Sequence, residues 1–125
     1  MKYIKKKLAI DNVRLVDIAK KFDTPTYCYS YTQLKKNINS FKKNFKTFSP
    51  LICFAIKSNT NLNLIKEIQK FGLGADVVSM GELMMALKAG INPKKIVFSG
   101  VGKTASEISY AIDKKILLIN AESKS

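Results

Sequence analysis

The sequence predicts an α/β fold, a partial (β/α) barrel holding about four of the eight strands that a closed barrel of this kind needs. Two observations carry this. Apolar, strand-like runs end near Lys57, Val78, Ser99 and Asn120, 21 residues apart each time, with helical patterns in the gaps. Runs such as Ile96-Val97-Phe98 and Ile116-Leu117-Leu118-Ile119 are also apolar at every position. That pattern suits parallel strands covered on both faces, and the short strand–helix period suits a barrel better than a large doubly wound sheet.

The elements follow in order. Residues 8–22 read as a short strand and then a helix. Leu15, Ile18, Ala19 and Phe22 share one helical face, with Asp11 or Asn12 placed to cap it. Asp23-Thr24-Pro25 breaks that helix. Thr26-Tyr27-Cys28-Tyr29-Ser30 is rich in strand formers. A second helix follows, its stripe of Tyr31, Leu34, Ile38, Phe41, Phe45 and Phe48 read as core, and Ser49-Pro50 ends it. Residues 1–50 thus form an entry segment with a strand and an amphipathic helix, and 51–125 the first half of a barrel.

Within that half, helices are expected over 61–71, 80–89 and 104–112. Ser79-Met80-Gly81-Glu82 and Thr104-Ala105-Ser106-Glu107 are capping boxes. Gly90 is a natural residue just past a helix end. The chain is 125 residues long and stops just after the fourth strand. An open half-barrel leaves that strand's edge unpaired, so truncation and a tendency to aggregate are expected.

Composition excludes several function classes. The net charge is +13, yet Arg14 is the only Arg among 22 basic residues. Base readout and bidentate phosphate binding favour Arg, and the lysines are spread along the chain, so no nucleic-acid partner is expected. The sequence contains no His, which removes the usual imidazole metal sites, and no metal is expected. Cys28 and Cys53 stand apart in strand-like runs and read as small buried hydrophobes of a reducing compartment. The basic start is followed by too few apolar residues for a signal segment, and no stretch approaches a membrane span. A cytoplasmic location is expected.

Lys57 is the candidate for chemistry. It follows Leu51-Ile52-Cys53-Phe54-Ala55-Ile56 at a strand's carboxyl end, where parallel α/β barrels place their reactive groups. Apolar walls lower the cost of a neutral amine, and such an amine can form an imine with an aldehyde. Position alone leaves a second reading open, a strand-end lysine reaching to solvent.

The flanking residues supply a resemblance. Phe54-Ala55-Ile56-Lys57-Ser58-Asn59, with Leu64-Ile65, Ile68 and Gly72, resembles the lysine signature of the fold-type III pyridoxal-phosphate decarboxylases. Gly74-Ala75-Asp76-Val77-Val78-Ser79-Met80-Gly81-Glu82-Leu83 is similar to the second-strand block of their diaminopimelate branch. Ala89-Gly90-Ile91 and Lys95-Ile96-Val97-Phe98-Ser99-Gly100-Val101-Gly102-Lys103-Thr104 are similar to its third-strand block. Asp23-Thr24-Pro25-Thr26-Tyr27-Cys28-Tyr29 resembles the segment that enters the fold. Together these cover essentially all of the chain after its first few residues.

The resemblance implies a barrel of the alanine-racemase/decarboxylase type and a pyridoxal 5'-phosphate-dependent carboxy-lyase. It implies Lys57 as the catalytic, cofactor-holding Schiff-base residue and Asp76 as an acidic neighbour that favours the protonated nitrogen. It implies meso-2,6-diaminopimelate as substrate, L-lysine and CO2 as products in the last step of lysine biosynthesis, and a homodimer for the complete enzyme. The ornithine and arginine decarboxylases, or a non-catalytic remnant half-barrel, are the alternatives. Glu82 matches a second acidic position of some relatives, but the capping box already accounts for it. Ser99-Gly100 and Gly102 suit either a backbone approach to a ligand or a tight turn. The family's ring-stacking His, its glycine-rich phosphate loop, the acidic partner of the pyridine nitrogen and its carboxy-terminal β-domain all lie later than Ser125. This chain alone is therefore expected to be inactive.

Overall fold

The computed structural model describes residues 1–123, and the chain divides into two compact units, Met1–Ser49 and a second beginning at Pro50.

The first unit opens with an antiparallel meander of β1 (Lys2–Ile4), β2 (Lys7–Ile10) and β3 (Val13–Arg14). Both connections are two residues long. Lys5 and Lys6 have φ of 47° and 61°, and Asp11 and Asn12 have 46° and 69°. Positive φ at both central residues is the turn geometry whose twist matches that of paired strands. Asn and Asp tolerate it readily; lysines do so at a steric cost. Ala9 is the fully buried residue of β2.

Helix α1 (Leu15–Phe22) follows directly, with Arg14 at its N-cap and no side-chain cap. Arg14 pairs with Asp17 at 2.6 Å instead. Neither Asp11 nor Asn12, the two residues expected to cap α1, does so, and Asp11 serves the next helix. Its carboxylate accepts from Ser30 Oγ at 2.7 Å and from the Thr32 amide at 2.9 Å. Ser30 in turn accepts from Gln33 N at 3.0 Å and caps α2 (Tyr31–Asn44). The Thr32 amide first, and then the Ser30 hydroxyl, hold the Asp11 carboxyl below its usual range.

Three further expectations for this unit fail. Residues 26–30 form no strand, and Cys28, which they carry, is exposed instead of buried. Helix α2 stops at Asn44, before Ser49-Pro50. Its aromatic stripe is not core either. Ile38 is buried, but Phe41, Phe45 and Phe48 keep 51%, 41% and 80% of their surface exposed. Periodicity identifies which residues share a face, not whether another layer exists to cover it.

The second unit is a parallel sheet in the order β4 (Cys53–Ala55), β5 (Gly74–Val77), β6 (Ile96–Phe98) and β7 (Leu118–Ile119). Helices α3 (Leu62–Lys70), α4 (Met80–Lys88) and α5 (Ala105–Asp113) connect them. The pairing register is the sequence period. Ala55 pairs with Asp76, Asp76 with Val97, and Val97 with Leu118, a step of 21 at each crossing. This is the first part of the predicted barrel.

Alternation divides each strand between two faces. Ala75, Val77, Ile96 and Phe98 are fully buried and join Leu83 and Ala86 of α4 and Ala111 of α5 in one core. Asp76 and Val97, on the opposite face, are only partly covered, and Leu118 is exposed. The backbone packs closely at Gly74. A Cβ there would lie 2.1 Å from the Lys95 carbonyl oxygen and 2.9 Å from Cys53 Sγ. Only a residue without Cβ fits.

Candidate functional site at the carboxyl rim of the parallel sheet

The strand expected to run through Ile56 ends earlier. After Ala55 the chain turns into a single 3-10 turn, Ile56–Ser58, with Lys57 at its centre. Ile56 is fully buried in the core. Ser58 Oγ donates to the Ala55 carbonyl at 2.7 Å, and the Asn59 amide donates to the Ile56 carbonyl at 2.9 Å. Asn59 Oδ1 then accepts from the Asn61 amide at 2.9 Å, and Asn61 caps α3 through Asn63 N and Leu64 N. The Lys57 backbone is thus held on both sides. Its side chain is exposed, so the apolar walls expected around the amine are not supplied by the described residues.

Asp76 lies on the open face of β5, opposite Ala55, two residues before Lys57 in register. Its Oδ1 accepts from Ser99 Oγ at 2.7 Å, and Ser99 Oγ accepts from Asn120 Nδ2 at 3.1 Å. Backbone bonds keep these residues in line. Ser99 N donates to Val77 O at 2.8 Å, and Asn120 N donates to Phe98 O at 2.9 Å. Cys53, half-buried rather than fully buried, lies near enough to feel this carboxylate. Burial first, then the Asp76 charge, push its thiol above the usual range.

The rim is tied together from behind by Glu107. One oxygen accepts from the Thr104 amide at 3.0 Å and from Thr104 Oγ1 at 2.9 Å. The other accepts from the Met80 amide at 2.9 Å. The predicted capping box of α5 is therefore complete, and its carboxylate also binds the first turn of α4. These backbone donors hold Glu107 below the usual carboxylate range. The box predicted at Ser79 forms only in part. Ser79 Oγ accepts from the Glu82 amide at 3.3 Å, but Glu82 Oε2 accepts from the Val78 amide at 2.9 Å, one residue before the cap. Gly100 has φ of +100° and would bring a Cβ within 3.3 Å of Val78, whereas a Cβ on Gly102 would meet open space. A tight turn accounts for Gly100.

Sequence reasoning singled out Lys57 and Asp76 but not the Asp76–Ser99–Asn120 chain or the reach of Glu107 to Met80. The first was available in principle. Ser99 and Asn120 each stand two residues past positions in register with Asp76, hence on its face. The second required knowing how two helix N-termini sit together.

A parallel sheet with strand–helix crossovers at a fixed 21-residue period defines the class: it is the first part of a (β/α) barrel. The chain matches the family model described as "Pyridoxal-dependent decarboxylase, pyridoxal binding domain" over residues 31–125, and it belongs to that family. It is 44% identical over 124 residues to a diaminopimelate decarboxylase of Aquifex aeolicus, covering 99% of this chain and 29% of that protein. It superposes on the crystal structure of diaminopimelate decarboxylase from M. jannaschii in complex with L-lysine, with a TM-score of 0.92 at 38% identity. That match covers 97% of this chain and 30% of the other. The Paramecium bursaria Chlorella virus arginine decarboxylase bound to agmatine shares the fold, with a TM-score of 0.76 at 21% identity. The chain thus spans 29% of the length of the Aquifex aeolicus relative. Among the described residues, no helix is long and apolar enough to cross a membrane.

Proposed function

We propose that this chain is the amino-terminal part of a diaminopimelate decarboxylase, in which Lys57 holds pyridoxal 5'-phosphate and Asp76 supplies a fixed negative charge beside it. The observation that carries the reading is the match to the pyridoxal-binding family over residues 31–125, taken with the place of Lys57 on a turn pinned by buried Ile56 and by Ser58 at the carboxyl rim of a parallel sheet. The donor set fits the cofactor. A primary amine can condense with its aldehyde, and a carboxylate on the same open face can face a cationic nitrogen. Pyridoxal phosphate, when bound, supplies an electron sink for the carbanion left by loss of a carboxylate as CO2.

Residues 1–50 are read as the entry segment and residues 51–125 as the first half of the barrel. The complete protein would act as a homodimer in the cytoplasm on meso-diaminopimelate, yielding L-lysine. The substrate assignment is supported by the diaminopimelate decarboxylases of Aquifex aeolicus and M. jannaschii, to which the chain is far more similar than to the viral arginine decarboxylase.

Borohydride reduction of the protein incubated with pyridoxal phosphate, followed by peptide mapping, tests the anchor. Label is expected on Lys57, and none in Lys57→Ala. Label on another lysine of the wild type would overturn the assignment. CO2 release from meso-diaminopimelate, ornithine and arginine by the complete protein tests the substrate, with the first expected to dominate.

A further inference from the structure

Three strand ends of the second unit present one polar side chain each on the open face of the sheet: Asp76, Ser99 and Asn120. The hydrogen bonds between them have a fixed direction. The Asn120 amide can only donate through Nδ2, so Ser99 Oγ is the acceptor at 3.1 Å. A hydroxyl has one proton, and the carboxylate Oδ1 of Asp76, 2.7 Å away, is its acceptor. The chain therefore runs from Asn120 through Ser99 to Asp76. Both residues are set by the backbone ladder, Ser99 through its bond to Val77 and Asn120 through its bond to Phe98. The Asp76 side chain has two rotatable bonds, and among the described residues the hydrogen bond to its carboxylate comes from Ser99 on the neighbouring strand's end, not from its own strand. Ser99 occupies Oδ1 and thereby orients the carboxylate.

We infer that Ser99 and Asn120 are positioning residues that fix the Asp76 carboxylate through a directed hydrogen-bond chain across three adjacent strand ends. Asn120 acts at one remove: it occupies an acceptor site on the Ser99 hydroxyl and leaves that group to donate to Asp76. The inference rests on the role proposed for Asp76, and it extends the site to the fourth strand. An unanchored Asp76 would sample several rotamers, and the charge offered to the site would be spread over them.

The test is a mutant cycle in the complete protein, read by borohydride labelling of Lys57 and by kcat and KM on meso-diaminopimelate. Ser99→Ala is expected to keep the Lys57 label and a KM within about twofold, with kcat lowered on the order of tenfold, the effect of losing one charge-assisted hydrogen bond. Ser99→Thr, which keeps the hydroxyl, is expected to restore kcat. Asn120→Ala is expected to show a smaller loss that is absent in the Ser99→Ala background. In an Asp76→Asn background, Ser99→Ala is expected to add little. Unchanged kcat in Ser99→Ala, or an undiminished effect of it beside Asp76→Asn, overturns the positioning role while the Lys57 label leaves the anchor standing. Absence of the label from wild-type Lys57 overturns the underlying reading and this one with it.

Discussion

Gly74→Ala introduces a single methyl group where the parallel sheet leaves no room for one. The new Cβ would sit 2.1 Å from the Lys95 carbonyl oxygen, 3.1 Å from the Lys95 carbonyl carbon and 2.9 Å from Cys53 Sγ. Two of these three atoms are backbone, so a rotamer change cannot relieve them. Gly74 is also buried, and its amide donates to the Ile52 carbonyl at 2.9 Å, so β5 cannot retreat without losing a ladder bond. Overpacking of this kind costs about 1–3 kcal/mol, sometimes more. The lower entropy of an unfolded chain with Ala in place of Gly offsets roughly 0.4–1 kcal/mol. A net loss of about 1.3 kcal/mol follows, a shift of roughly 5–10 °C in melting temperature for a unit of this size. Thermal unfolding followed by far-ultraviolet circular dichroism measures it. Adding Cys53→Ala removes the sulfur contact and leaves the carbonyl contact, so little recovery is expected. A melting temperature within a degree of the wild type would refute the argument. Full recovery in the double variant would show that the side chain, not the backbone, was the obstacle.

Two further predictions concern charge. The carboxyl of Glu107 lies below its ordinary value because the folded chain donates to its ionised form. Its contribution to stability is therefore present above the unfolded value near 4.5 and is lost as pH falls through the lower folded value. Glu107→Gln should flatten the acid limb of the melting-temperature profile, and an unchanged limb would count against the link to Met80. Cys28 is exposed, whereas Cys53 is half-buried near Asp76. Alkylation of the native chain near pH 8 should modify Cys28 first, and Asp76→Asn should quicken the reaction of Cys53. Mass spectrometry of timed samples checks both rates, and equal rates at the two cysteines would contradict the placement of Cys53.

The 21-residue spacing of apolar runs was visible along the chain, and it is the pairing register of the parallel strands. Caps were legible for the same reason: Ser79 and Thr104 act on amides three residues away, so local sequence suffices to specify them. The Lys57 motif is also local, a turn and its flanking residues. Contacts between segments far apart in sequence were not legible. Asp11 reaches Ser30 and Thr32, Glu107 reaches Met80, and Gly74 meets Lys95; each partner is set by how elements pack, not by its neighbours in the chain. The stripe of Phe41, Phe45 and Phe48 looked like core because helical spacing is a property of one element. Burial is a property of two, and the exposure of these rings is decided only where a second layer is present or missing. The sequence by itself therefore determined the 21-residue repeat and the family to which the chain belongs. The tertiary structure alone decided that three strand ends share one hydrogen-bonded chain, because a 2.7 Å bond between Ser99 and Asp76 exists only when two strands lie side by side in register.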